Sequence, residues 1–139
     1  MHYRRFNNKV IVRINNGEEI VSTLKQLCNN LHITLGSITG IGATNDVTIS
    51  LMNTKTKKYQ STQFTGDHEI SSLIGNITTM NGDVYLHLHI TVCNAELKTF
   101  GGHLTSAVVS ATFEGVIDII DGQVDRTFNQ AVGLNLLNL

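Results

Sequence analysis

The chain has 139 residues, 41% of them hydrophobic and 15% charged, with a formal net charge of −1. That length suits one domain, spanning 1–139, that buries a core without disulfides, and the composition excludes a disordered chain. The 10 basic residues barely fall short of the 11 acidic ones, which argues against a protein held to nucleic acid through phosphates. The short basic clusters Arg4-Arg5 and Lys55, Lys57, Lys58 read as solvated surface.

Met1 leads into His2, Tyr3, Arg4 and Arg5 with no apolar run behind them, so no secretory signal is expected. No stretch has the apolar length of a bilayer span. Cys28 and Cys93 lie far apart without metal-type spacing and read as reduced, buried or half-buried thiols of a cytoplasmic protein.

Lys9 to Ile14 is rich in Val and Ile and predicts a short strand, which Asn15, Asn16 and Gly17 break. From Glu18 the period changes. Ile20, Leu24, Leu27 and Leu31 form one helical stripe, with Glu18 and Glu19 in its first turn, so a helix is expected over residues 18–30. Strands follow at Ile33 to Ile41, Asp46 to Met52 and Tyr59 to Thr65, the last two joined by a polar turn. Glu69 to Thr79 and Val84 to Val92 flank Asn81-Gly82, the strongest hairpin signal in the chain. A long apolar strand, Ser106 to Ile120, ends at Asp121-Gly122. The tail, 121–139, carries Leu134, Leu136, Leu137 and Leu139 and should pack on the domain or on a neighbouring subunit. One helix among many hairpin-ordered strands gives an α+β fold, a mostly antiparallel sheet covered by the helix, with a βαβ crossover open at the start.

Three of the six histidines fall close together. In the strand Tyr85-Leu86-His87-Leu88-His89-Ile90, residues two apart share a face, so His87 and His89 project together while the leucines turn to the core. A hairpin at about Cys93 to Lys98 can fold Gly101-Gly102-His103 back beside them. Neutral imidazoles suit zinc, iron, nickel or copper, and three protein ligands with an open position is the pattern of a catalytic zinc. A divalent metal, zinc first and iron or nickel after it, is therefore the expected cofactor of His87, His89 and His103. Gly101 and Gly102 are candidate cofactor-binding positions, because glycine lets a ligand or another chain approach the backbone. His2, His32 and His68 are scattered and read as structural. Gly36, Gly40 and Gly42 lack the Lys-Ser/Thr of a phosphate loop and read as bulges or close contacts.

These pieces, in order, resemble the plants-and-prokaryotes-conserved (PPC) domain. The matching segments are Gly17-Glu18-Glu19-Ile20, Gly36-Ser37-Ile38-Thr39-Gly40-Ile41-Gly42-Ala43, Glu69 to Ile77, His87-Leu88-His89, Gly101-Gly102-His103-Leu104 and Val108 to Ile120, about residues 4–120 in all. The resemblance implies an α+β domain with a curved antiparallel sheet, assembly as a homotrimer, and metal binding in some prokaryotic members at the positions of His87, His89 and His103. It also implies that these positions lie near subunit contacts, where a small-molecule ligand could sit. Prokaryotic members carry a DNA-binding label, whereas plant members bind DNA through a preceding AT-hook. This chain has no Arg-Gly-Arg-Pro core and no proline at all, so DNA as a partner rests on the family label.

Three functions compete. The first is a metal-binding trimer acting on or holding an unknown small molecule, with Glu69 or Glu114 as candidate catalytic base or histidine-orienting partner. The second is a DNA-binding regulator. The third is an oligomerisation or protein-interaction module.

Overall fold

The computed structural model describes all residues 1–139. Its elements are β1 (His2–Phe6), β2 (Lys9–Asn15), α1 (Ile20–Asn30), β3 (Gly36–Asn53), β4 (Lys58–Met80), β5 (Asp83–Cys93), β6 (Thr99–Ile119), β7 (Arg126–Asn129) and β8 (Leu134–Leu137). Six strands form an antiparallel sheet in the order β1-β2-β6-β3-β4-β5, and β6 also pairs with β5. That extra pairing links β3, β4, β5 and β6 in a ring and curves the sheet. The fold is α+β, as the element pattern predicts.

The expected crossover is present in split form. Both β2 and β3 run antiparallel to β6, which lies between them, so α1 connects two parallel strands that are not neighbours. The helix buries Ile20, Leu24, Leu27 and Cys28 against the sheet. It begins two residues later than the sequence suggests. Glu19 is its N-cap, with its carboxylate accepting from Val21 N at 2.9 Å and Ser22 N at 2.7 Å, which satisfies two of the free amides of the first turn. Glu18 instead takes the Met1 amino group at 2.6 Å.

Register explains which face is core. Val10, Ile117, Ile38, Gly75 and Leu88 are successive partners across β2, β6, β3, β4 and β5, and Val10, Ile117, Ile38 and Leu88 are essentially buried. The next row, Ile11, Val116, Thr39, Ile74 and His89, faces the other way because side chains alternate along a strand. In that outer row Ile11, Val116 and Ile74 are 45%, 38% and 57% exposed.

The long strands absorb breaks that the sequence suggests. Ile33 to Ile41 and Asp46 to Met52 belong to one strand, β3, whose register shifts beside Ile41 and between Thr44 and Asp46. Tyr59 to Thr65 and Glu69 to Thr79 likewise join as β4, with Gly66 at φ +89° in the irregular stretch. A bulge bends a strand and redirects its side chains without ending its pairing. At Asn81-Gly82 both residues have positive φ, 54° and 85°, as the expected two-residue hairpin requires. Strand β1 has no counterpart in the sequence reading, because all five of its residues are exposed and no burial pattern marks it. No helix is long and apolar enough to cross a membrane.

Candidate metal centre

The three histidines come from two neighbouring strands. His87 and His89 share the outer face of β5, and His103 lies within β6 as the direct register partner of His89. Their ring centroids are 5.3 Å (87–89), 5.4 Å (87–103) and 5.8 Å (89–103) apart. One nitrogen from each ring falls in a group whose members all lie within 4.8 Å of one another. His103 belongs to the long strand itself, which starts at Thr99 and so runs further back than its apolar stretch indicates.

The electrostatics favour neutral rings at His87 and His103. His87 is pushed down to about 4 by burial first, then by the neighbouring His103, Arg126 and His89. Burial and His89 lower His103 as well. No carboxylate lies in the trio, and none of its ring nitrogens has a hydrogen-bond partner within the chain. The Nδ1 atom of His103 is buried without a partner. A buried nitrogen left in that state is costly unless something else satisfies it, and an imidazole lone pair facing two others is the donor set that a divalent transition metal takes. The residues present fit such an ion.

The other sequence candidates lie elsewhere. Glu69 is exposed and pairs with Cys93, four residues along β5 from His89, a separation of roughly 13 Å at strand spacing. Glu114 is exposed on β6 opposite Arg13 and Ile41, eleven residues from His103, or roughly 35 Å along the strand. Neither carboxylate reaches the rings of its own chain. Gly101 and Gly102 stand close to the backbone of neighbouring strands. A Cβ on Gly101 would stand 3.0 Å from the Ile90 carbonyl oxygen, and one on Gly102 would stand 3.0 Å from Ser50 O and the Ile49 side chain. The close approach they permit is that of β5 and β3, which seats β6 between them and fixes His103.

Sequence reasoning missed the wall of the site. A cavity of about 330 Å³ is lined by His87 and His103 together with Tyr59, Tyr85, Arg126 and the leucines of β8. The tail forms the β7–β8 hairpin over this outer face, so it packs on its own domain. Arg126 is 7% exposed. It donates to Thr78 Oγ1 (2.9 Å), Asn76 Oδ1 (2.6 Å) and Asn135 O (2.7 Å) and lies 4.9 Å over the Tyr85 ring. Asn76 is the register partner of His87. Nothing in the tail's sequence marks Arg126, because two of its three acceptors, Thr78 and Asn76, lie 48 and 50 residues away. Both cysteines are free, Cys28 buried and Cys93 half-buried, and burial pushes the Cys28 thiol up to about 12.

Comparison with known proteins bears on this arrangement. The family model of the Plants and Prokaryotes Conserved (PCC) domain matches residues 1–121. A "putative dna binding protein" of Bacteroides thetaiotaomicron is 43% identical, with a TM-score of 0.96 over 99% of this chain and 96% of its own. A plant- and prokaryote-conserved protein of Pyrococcus horikoshii is 27% identical, with a TM-score of 0.88 over 99% of this chain and 94% of its own. A metal-containing protein of Archaeoglobus fulgidus, 24% identical, shares the fold at a TM-score of 0.88 over 100% and 99% of the two chains. No curated protein matches the chain. The family match over residues 1–121, most of the length, establishes that this chain belongs to the Plants and Prokaryotes Conserved domain family.

Proposed function

We propose that this protein is a homotrimeric metal-binding domain in which His87, His89 and His103 hold one divalent ion, zinc first and iron or nickel after it, beside a pocket for a small molecule. One observation carries the reading: three imidazoles, with ligand nitrogens within 4.8 Å of one another, have no partners inside the chain. The fold relative from Archaeoglobus fulgidus, described as metal-containing, supports it. Self-association is supported by the outer apolar row of Ile11, Val116 and Ile74, which is exposed in one chain and runs in register to His89. A subunit packed on that row would lie within reach of the histidines.

When bound, a metal with three protein ligands and an open position would lower the pKa of a water or polarise a carbonyl oxygen. The chain's own residues do the rest. Register holds the rings, burial keeps His87 and His103 unprotonated, and the β7–β8 hairpin shields one side from water. With Glu69 and Glu114 out of reach in the same chain, a carboxylate base would have to come from a neighbouring subunit or from the ligand.

Elemental analysis of protein purified without a histidine tag tests the metal. About one zinc, iron or nickel per chain is expected. Protein that stays metal-free after all three ions have been supplied would overturn the reading.

A further inference from the structure

Arg126 is a buried cation without an anion. Its guanidinium offers five N–H groups, and three are spent on the neutral acceptors Thr78, Asn76 and Asn135. Two remain. The chain's ion pairs join Met1 with Glu18, Lys9 with Asp118 and Lys98 with Glu96, so none involves Arg126. The adjacent Asp125 is turned away and accepts from Thr79. Burying an unpaired charge is costly, and this one lines the same cavity of about 330 Å³ as His87 and His103.

We propose that Arg126 makes this cavity a carboxylate site: it takes a small carboxylic acid whose carboxylate rests on the guanidinium and whose body reaches towards the histidines. The guanidinium fork matches two oxygens of a planar anion. The walls of Leu134, Leu136, Leu137 and Tyr59 suit a short apolar body, and a cavity of this size is at the small end of ligand pockets. A phosphate dianion fits less well, because Arg126 is the single cationic side chain in the lining and no glycine loop contributes backbone donors. The inference rests on the metal reading only for a second oxygen of the same molecule, such as an α-hydroxyl, at the open coordination position.

The test is titration of the full-length, cobalt(II)-loaded protein with L-lactate, its neutral analogue lactamide, and inorganic phosphate, followed by calorimetry and the visible cobalt absorption. Lactate should bind and change the cobalt spectrum. Lactamide should bind at least about tenfold more weakly, since a charged hydrogen-bonded pair is lost. Arg126→Gln should weaken lactate by a similar factor while leaving cobalt content unchanged, with Arg126→Lys between the two. Equal affinity for lactate and lactamide would overturn the proposal, as would a folded Arg126→Gln protein that binds lactate normally, or phosphate binding more tightly than lactate. Should the variants fail to fold by circular dichroism, the lactate and lactamide comparison on the unaltered chain decides. A chain that holds cobalt but ignores lactate loses the carboxylate site and keeps the metal. A chain that takes up no cobalt yet prefers lactate to lactamide keeps the carboxylate site and loses the metal.

Discussion

His89 and His103 are direct partners in the β5–β6 ladder, with ring centroids 5.8 Å apart on the sheet's outer face. Their separation is set by backbone pairing and not by a flexible loop, and His87 joins them because it stands two residues from His89 on the same strand. A site positioned by strands is rigid, so each ring contributes an independent ligand. Replacing any one by alanine should weaken zinc binding by more than the roughly 10–100-fold that changes around a metal's ligands cost. All three positions are half-buried or exposed, so the fold should persist. Competition with a chromogenic chelator measures the loss, and a variant that retains native affinity would remove that histidine from the set.

Stability of the metal-free protein should fall in mild acid. In the folded chain His87 gains a proton only near pH 4, against the ordinary value of 6.5. Between those values the unfolded chain binds more protons, so stability rises with pH across the window and is lost as pH drops through it. His103 is shifted in the same direction. A drop of at least a few degrees in melting temperature is expected between pH 7 and pH 4.5. Glu18, held below the usual carboxylate range by its hydrogen bond from the Met1 amino group, adds acid sensitivity of its own below its ordinary value of 4.5. The informative comparison is therefore with His87→Gln, whose curve should be flatter over the same interval. Parallel curves would show that His87 does not titrate as described.

Gly75 lies opposite Leu88, the residue between the two histidines of β5. A Cβ there would overlap the His87 carbonyl oxygen and the Leu88 side chain, and backbone cannot swing aside as a flexible side chain can. Gly75→Ala should cost about 1–3 kcal/mol through overpacking and should weaken metal binding, since the strand carrying His87 and His89 must move. Denaturant melts and metal titrations on the same protein check both effects. Stability lost without any change in metal affinity would mean that the displacement stays local.

The sequence makes the helix, the Asn81-Gly82 hairpin and the alternation around His87 legible, because each is a local pattern: a stripe, a turn dipeptide, a period of two. His103 is legible by motif, yet its partnership with His89 depends on β6 reaching back to Thr99, which no local apolar run signals. The close contacts at Gly101 and Gly102 depend on the same long-range pairing. Sequence shows only that something approaches these positions closely, and the structure identifies it as Ile90, Ile49 and Ser50 of the same chain. Arg126 is illegible because its neighbours Asn76, Thr78 and Tyr85 are distant in sequence and individually unremarkable.

Duplex DNA should bind weakly or not at all. The net charge is −1, and the one α-helix buries its apolar face on the sheet. The cationic clusters are separate, with Arg4, Arg5, Lys9 and Arg13 on the β1–β2 edge and Lys55, Lys57 and Lys58 near the β3–β4 turn. Phosphate binding needs several such charges gathered along one surface. No retardation of a duplex is expected at micromolar protein and physiological salt. A shift that disappears steeply as salt is raised would instead point to a basic surface assembled between subunits.

Ile74 and Val116 offer the sharpest handle on assembly. They stand on either side of Thr39 in the outer row, 57% and 38% exposed, while the core row beneath is complete without them. Converting each to lysine should therefore leave the monomer's fold unchanged, within about 0.5 kcal/mol for a surface position. If this row is the subunit contact, a charge buried there without a partner would oppose association strongly. Light scattering should report a mass near three chains for the native protein and near one for Ile74→Lys with Val116→Lys. Because Ile74 pairs with His89, metal affinity measured on the dissociated variant also separates two architectures. Unchanged affinity means that the three histidines of one chain suffice, whereas a loss accompanying dissociation means that the neighbouring subunit supplies a further ligand. A double variant that remains fully trimeric would exclude this row as the interface.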